Sequence, residues 1–123
     1  MEIPKIFESE YRFCLILWEN EPINSTRLVK LCKEQLGWSK ATTYTVIRRL
    51  AERNVLKNED ATVTSLVSKE QIQQAEMAEM MDKTFQNSIP DFIAAFCSCK
   101  KLTAEQARQL ELLISHYNSE GDN

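Results

Sequence analysis

Gly37-Trp38-Ser39-Lys40-Ala41-Thr42-Thr43-Tyr44-Thr45-Val46-Ile47-Arg48-Arg49-Leu50-Ala51-Glu52-Arg53-Asn54-Val55-Leu56 is the stretch that decides the fold. It reads as a loop, a helix and the start of a strand. Ser39 is a good N-cap, because its hydroxyl can accept from the free N–H groups of the first turn. Thr43, Val46, Ile47 and Leu50 recur at helical spacing, so they share one face turned to a core. The other face carries Lys40, Thr42, Tyr44, Thr45, Arg48 and Arg49. Asn54 follows, and Asn tolerates the left-handed conformation that ends helices. A dry stripe opposite hydroxyls and arginines suits the DNA major groove, where hydroxyls meet base edges and phosphates and arginine takes guanine or phosphate. The same pattern also fits an ordinary amphipathic surface helix, so the helix alone does not choose.

Charge distribution adds weight to the first reading. The chain has 123 residues and a net charge of −3, which by itself disfavours nucleic acid. Yet residues 25–57 hold 8 basic and 2 acidic side chains, while residues 58–123 hold 5 basic and 11 acidic. Positive charge is concentrated on the segment that would meet DNA, and the acidic end should point away from it. The length allows one domain or a small domain with an appendage, and so modest a core makes dimerisation a natural way to bury more apolar surface. Two glycines and three prolines favour long helices. No apolar run is long enough to cross a membrane and Met1-Glu2-Ile3-Pro4-Lys5 lacks a signal-peptide core, so a cytoplasmic location is expected.

Upstream, residues 8–19 form a first helix with Tyr11, Cys14, Leu17 and Trp18 inward. Pro22 breaks the chain, and Asn24 or Ser25 caps a second helix that runs to about Leu36. Gly37 ends it where left-handed geometry costs least. Two helices joined by a short Gly-containing turn make a helix-turn-helix. Downstream, Val55-Leu56-Lys57 reads as a strand, Asn58-Glu59-Asp60-Ala61 as a turn and Thr62–Val67 as a returning strand. The expected wing is short, with an acidic tip that adds little to DNA affinity.

Ser68-Lys69-Glu70-Gln71 and Thr103-Ala104-Glu105-Gln106 are capping boxes, and Ser88-Ile89-Pro90-Asp91 caps a helix between them. Three amphipathic helices therefore end the chain. Their apolar faces include Ile72, Met77, Met81, Phe85, Phe92, Phe96, Leu110, Leu113, Ile114 and Tyr117, with no sequence left to cover them. They read as a homodimerisation domain, the alternative being packing on the winged domain. The expected fold is mainly α: a winged helix-turn-helix DNA-binding domain over residues 1–67, then a three-helix dimerisation domain over residues 68–123.

Taken together, these pieces resemble the penicillinase-repressor family of transcriptional regulators, the BlaI/MecI/CopY type. The resemblance runs from Ile3 to about Tyr117. It rests on Ile3-Pro4-Lys5-Ile6, Glu10-Tyr11 through Leu17-Trp18-Glu19, Gly37-Trp38-Ser39 with Thr42, Thr45, Arg49 and Leu50, Val55-Leu56-Lys57, and Leu66-Val67-Ser68-Lys69-Glu70. It implies a dimeric winged-helix repressor on a palindromic operator. In β-lactam-resistance members, it further implies a membrane sensor-protease that triggers cleavage of an Asn–Phe bond. The matching pair here is Ala95-Phe96, which keeps the Phe and lacks the Asn. Phe7, Tyr44 and Asn54 replace the family's cap Ser, a frequent Lys and a Gly, and the wing is shorter and less basic.

Cys97-Ser98-Cys99 invites a zinc or copper reading, because thiolates suit both ions. Residues i and i+2 of a helix point apart, so one such pair chelates poorly unless the helix ends near Phe96. Incidental cysteines are the preferred reading, and no cofactor is expected. Cys14 and Cys32 read as buried small hydrophobes. Trp18 and Trp38 read as packing groups rather than base-stacking platforms. His116 is the only histidine, and there is no nucleophile elbow or Gly-rich phosphate loop, so an enzyme is not expected. Two functions follow. In the first, Ser39, Lys40, Thr42, Tyr44, Thr45 and Arg48 line the groove face, while Arg49 and Arg53 take flanking phosphates of double-stranded DNA. In the alternative, a winged helix with a decayed wing docks a partner protein.

Overall fold

The computed structural model describes residues 2–121. Its elements are α1 (Glu8–Asn20), β1 (Ile23–Asn24), α2 (Ser25–Leu36), α3 (Lys40–Glu52), β2 (Leu56–Glu59), β3 (Thr62–Ser65), α4 (Lys69–Phe85), α5 (Ile89–Cys99) and α6 (Ala104–Gly121). The three strands form an antiparallel sheet in the order β1-β3-β2, with Ile23 opposite Val63 and Leu56 opposite Ser65. This is a winged helix-turn-helix followed by helices, as the sequence predicts.

Local chemistry sets the element ends. Asn24 caps α2 by accepting from the Thr26 N–H, and Gly37 closes it at φ 70°. Ser39 caps α3 by accepting from the Thr42 N–H. Asn54 takes a left-handed φ of 63° and turns the chain into the hairpin. Ser68 and Gln71 form the reciprocal box at the start of α4, and Thr103 and Gln106 form another before α6. Ser88 caps α5.

The hairpin differs from expectation. β2 runs on to Glu59, so the turn is only Asp60-Ala61, with both residues at positive φ (51° and 60°). Two left-handed residues make a two-residue turn that matches the right-handed twist of paired strands. β3 ends at Ser65; one further rung joins Leu66 N–H to Val55 O, and Val67 O then accepts from the Trp18 indole at 3.0 Å. β1 was not foreseen. It is two residues long and exists only through pairing with β3.

The core gathers Phe13 and Leu17 from α1, Leu28 and Cys32 from α2, Ile47 and Leu50 from α3, Val55, Leu56 and Val63 from the hairpin, and Ile72 from α4. Trp38 stacks on Phe13 with ring centroids 6.0 Å apart, which seats the turn between α2 and α3 on α1. Ile72 is 2% exposed. It belongs to this core, which corrects its placement on a dimerisation face: its side chain fills the winged unit from the first turns of α4.

The chain divides into two compact units, Met1–Glu79 and Met80–Asn123, so the division falls inside α4 rather than before it. The second unit is unusual in having no buried side chain among residues 80–118. Phe85 meets Phe92 edge to face at 5.5 Å, and Phe92 stacks on Phe96 at 6.2 Å. Ile89, Leu112, Leu113, Ile114 and Tyr117 remain exposed, Tyr117 by 67%.

Candidate nucleic-acid interface

At 100° per residue, the buried Thr43, Ile47 and Leu50 fix which side of α3 faces outward. That side carries Ala41, Thr42, Thr45, Arg48, Arg49 and Glu52. All are exposed except Thr45, which is half-buried. Lys40 is exposed in the first turn. Among the described residues, no ion pair within the protein engages Lys40, Arg48 or Arg49, so their charges face solvent. Arg27, Lys30 and Lys33 of α2 are exposed as well. Seven of the eight cations of residues 25–57 therefore stand on the surface, which keeps the segment's positive field intact.

Three of the expected contact residues are placed otherwise. Arg53 is half-buried and turned inward: its guanidinium pairs with Glu10, donates to Lys5 O at 2.9 Å and lies 5.7 Å from the centre of the Phe7 ring. It ties the end of α3 to the start of α1, because a buried carboxylate there needs a cation. Tyr44 is half-buried and donates its hydroxyl to Ser25 Oγ at 3.2 Å, so it braces α3 against α2 instead of facing a groove. The Ser39 hydroxyl caps α3 by accepting from Thr42 N–H at 3.1 Å and donates to Thr42 Oγ1 at 3.0 Å, so its proton is used within the protein.

Ala41, which carries no polar group, is not among the expected contact residues, yet it is exposed on this outward face. Its signal is its spacing, seven residues before Arg48 and on the same face. The wing is acidic as expected. Glu59 and Asp60 are exposed, and the one wing cation, Lys57, is paired with Glu59 at 3.8 Å.

The two cysteine pairs separate cleanly. Cys14 and Cys32 are buried, and Cys97 and Cys99 are exposed. Burial pushes the Cys14 thiol up to about 12, and the Glu10 carboxylate adds to this. Burial raises Cys32 to about 11 against an opposing hydrogen bond from Thr43. α5 continues through Cys99, so Cys97 and Cys99 lie on one continuous helix and point apart. Among the described residues, no group of three or more His, Cys, Asp or Glu could hold a metal. Ala95-Phe96 lies inside α5, where scission of the bond requires local opening of the helix. No helix among the described residues is long and apolar enough to cross a membrane.

Comparison with known proteins agrees with this geometry. The penicillinase repressor family model matches residues 6–116. The chain is similar to a penicillinase repressor of Bacillus licheniformis, 23% identical over 123 residues and covering 95% of each chain. Its fold is similar to the solution structure of the monomeric form of Bacillus licheniformis BlaI in complex with the blaP half-operator. That match has a TM-score of 0.50 and 23% identity, covering 56% of this chain and 89% of that one. The family model spans the winged unit and most of the helices after it, and the chain therefore belongs to the penicillinase repressor family.

Proposed function

We propose that the chain is a homodimeric, sequence-specific DNA-binding repressor that places α3 in the major groove of a palindromic operator. One observation carries the proposal: an exposed face of Thr42, Thr45, Arg48 and Arg49 on the second helix of a helix-turn-helix, with its cations unspent inside the protein. In such motifs the N-terminal residues of the second helix meet base edges. Family membership, and a Bacillus licheniformis relative named as a repressor, support the same reading. Dimerisation is supported by the second unit, whose residues 80–118 bury nothing in a single chain. A two-fold partner would cover Phe92, Phe96, Leu113, Ile114 and Tyr117. A membrane sensor-protease as inducer rests on the family resemblance, and cleavage at Ala95-Phe96 would have to await opening of α5.

Gel-shift titration tests this. The expected result is salt-sensitive binding to the native upstream region, with half-sites about one helical turn or a multiple apart. Equal binding to random duplex would defeat it. The acidic wing favours a second reading, a protein-docking winged helix. A stable protein partner in pull-downs, together with no retention on DNA at low salt, would select that reading instead.

A further inference from the structure

We propose that Ala41 is a specificity-determining residue that reads a thymine through its 5-methyl group. The inference rests on α3 entering the major groove. Ala41 is exposed on the outward side of the first turn, the part of a recognition helix that approaches bases most closely. Lys40, beside it, is an exposed cation suited to phosphate, and the neighbouring hydroxyls are partly engaged. Ser39 Oγ and Thr42 Oγ1 are bonded to one another, and Ser39 Oγ also holds the Thr42 N–H. Thr45, the next residue along this face, is half-buried. At Ala41 the helix therefore offers bare hydrocarbon, with no side-chain donor or acceptor to give a base. Only thymine presents a methyl group in the major groove, and its apolar partner there is a side chain such as alanine. Alanine suits close approach because it has no rotamer freedom to lose.

Arg48 lies on the same side seven residues later, about 10 Å further along the axis. That is about three base-pair steps, so the methyl contact and the arginine contact fall on different base pairs. The two side chains thus divide the reading: one thymine by an apolar contact, one base or phosphate by charge.

The test uses the full chain and a duplex that it selects from a randomised pool, in which each thymine is replaced in turn by deoxyuridine. Removing the methyl read by Ala41 should weaken binding about fourfold at one position in each half-site, the equivalent of one buried methylene. In Ala41→Gly, checked by circular dichroism to be folded at the assay temperature, the same replacement should have no effect. Specific binding with no uridine-sensitive thymine would overturn the inference and leave the repressor reading standing. So would a sensitive thymine that stays sensitive in Ala41→Gly. Failure of the pool to yield any preferred site would instead defeat the repressor reading, and this inference with it.

Discussion

The guanidinium of Arg53, at the end of α3, is paired with the carboxylate of Glu10 in the first turn of α1. Glu10 also accepts from the Phe7 N–H at 2.8 Å, which replaces the missing cap at that helix start. Burial by itself raises the Glu10 pKa. The Arg53 hydrogen bond, the Phe7 N–H and the charges of Arg53 and Arg49 outweigh burial and hold it below the ordinary 4.5. Arg53→Ala leaves a mostly buried carboxylate unpaired and is expected to cost about 1–3 kcal/mol at neutral pH. Because the folded value is the lower one, the contribution of Glu10 is complete at neutral pH and fades as pH falls below about 4.5 and through the folded value. Urea melts of the native chain and Arg53→Ala should therefore converge as pH falls through the folded value.

Arg48→Ala is expected to leave stability unchanged, since Arg48 is exposed and unpaired, and to weaken operator binding by about 1–3 kcal/mol if it holds a base. Arg49→Ala should weaken binding to all sequences alike and lower the salt slope by about one. Gel shifts across a salt series separate the two. A uniform loss in both variants would assign Arg48 to phosphate.

Ala61 sits at φ 60° in the wing turn, where an L-residue with a Cβ is strained. Ala61→Gly makes the Asp-Gly turn that this geometry favours. Relief of roughly 1–2 kcal/mol is partly offset by the greater freedom of glycine in the unfolded chain, roughly 0.5–1 kcal/mol. The net expectation is a gain of up to about 1.5 kcal/mol, read from thermal or urea melts. A loss would mean that the Ala61 methyl makes a contact worth more than the strain.

Leu113→Glu combined with Tyr117→Glu places two charges on the exposed face of α6. Sedimentation equilibrium should show a monomer where the native chain is a dimer. Affinity for a two-half-site duplex should fall roughly 100-fold while binding to one half-site is retained. A native chain that sediments as a monomer would refute the two-fold model directly.

Cys14 and Cys32, with thiols raised to about 12 and 11, should not react with an aromatic disulfide reagent at neutral pH. Both should react when denaturant is added. Rapid modification of either in the native chain would indicate that the winged core opens on the timescale of the assay.

What the sequence determined by itself was local. The caps at Asn24, Ser39, Ser68, Ser88 and Thr103 act on N–H groups two or three residues away, so they are legible from a short window. Gly37 and Asn54 mark left-handed ends for the same reason. The outward face of α3 was legible as well, because one turn of helix relates Thr42 and Thr45 whatever surrounds them. Tertiary structure decided which of those polar groups are spent. Arg53 meets a carboxylate 43 residues away and Tyr44 a hydroxyl 19 residues away. Ile72 joined a buried cluster whose other members lie on α1, α2, α3 and the hairpin, far from it in sequence. β1 came into being only when β3 arrived beside it. Long-range partners are set by packing of the whole chain, and helical periodicity, which records only which side is dry, carries no address for them.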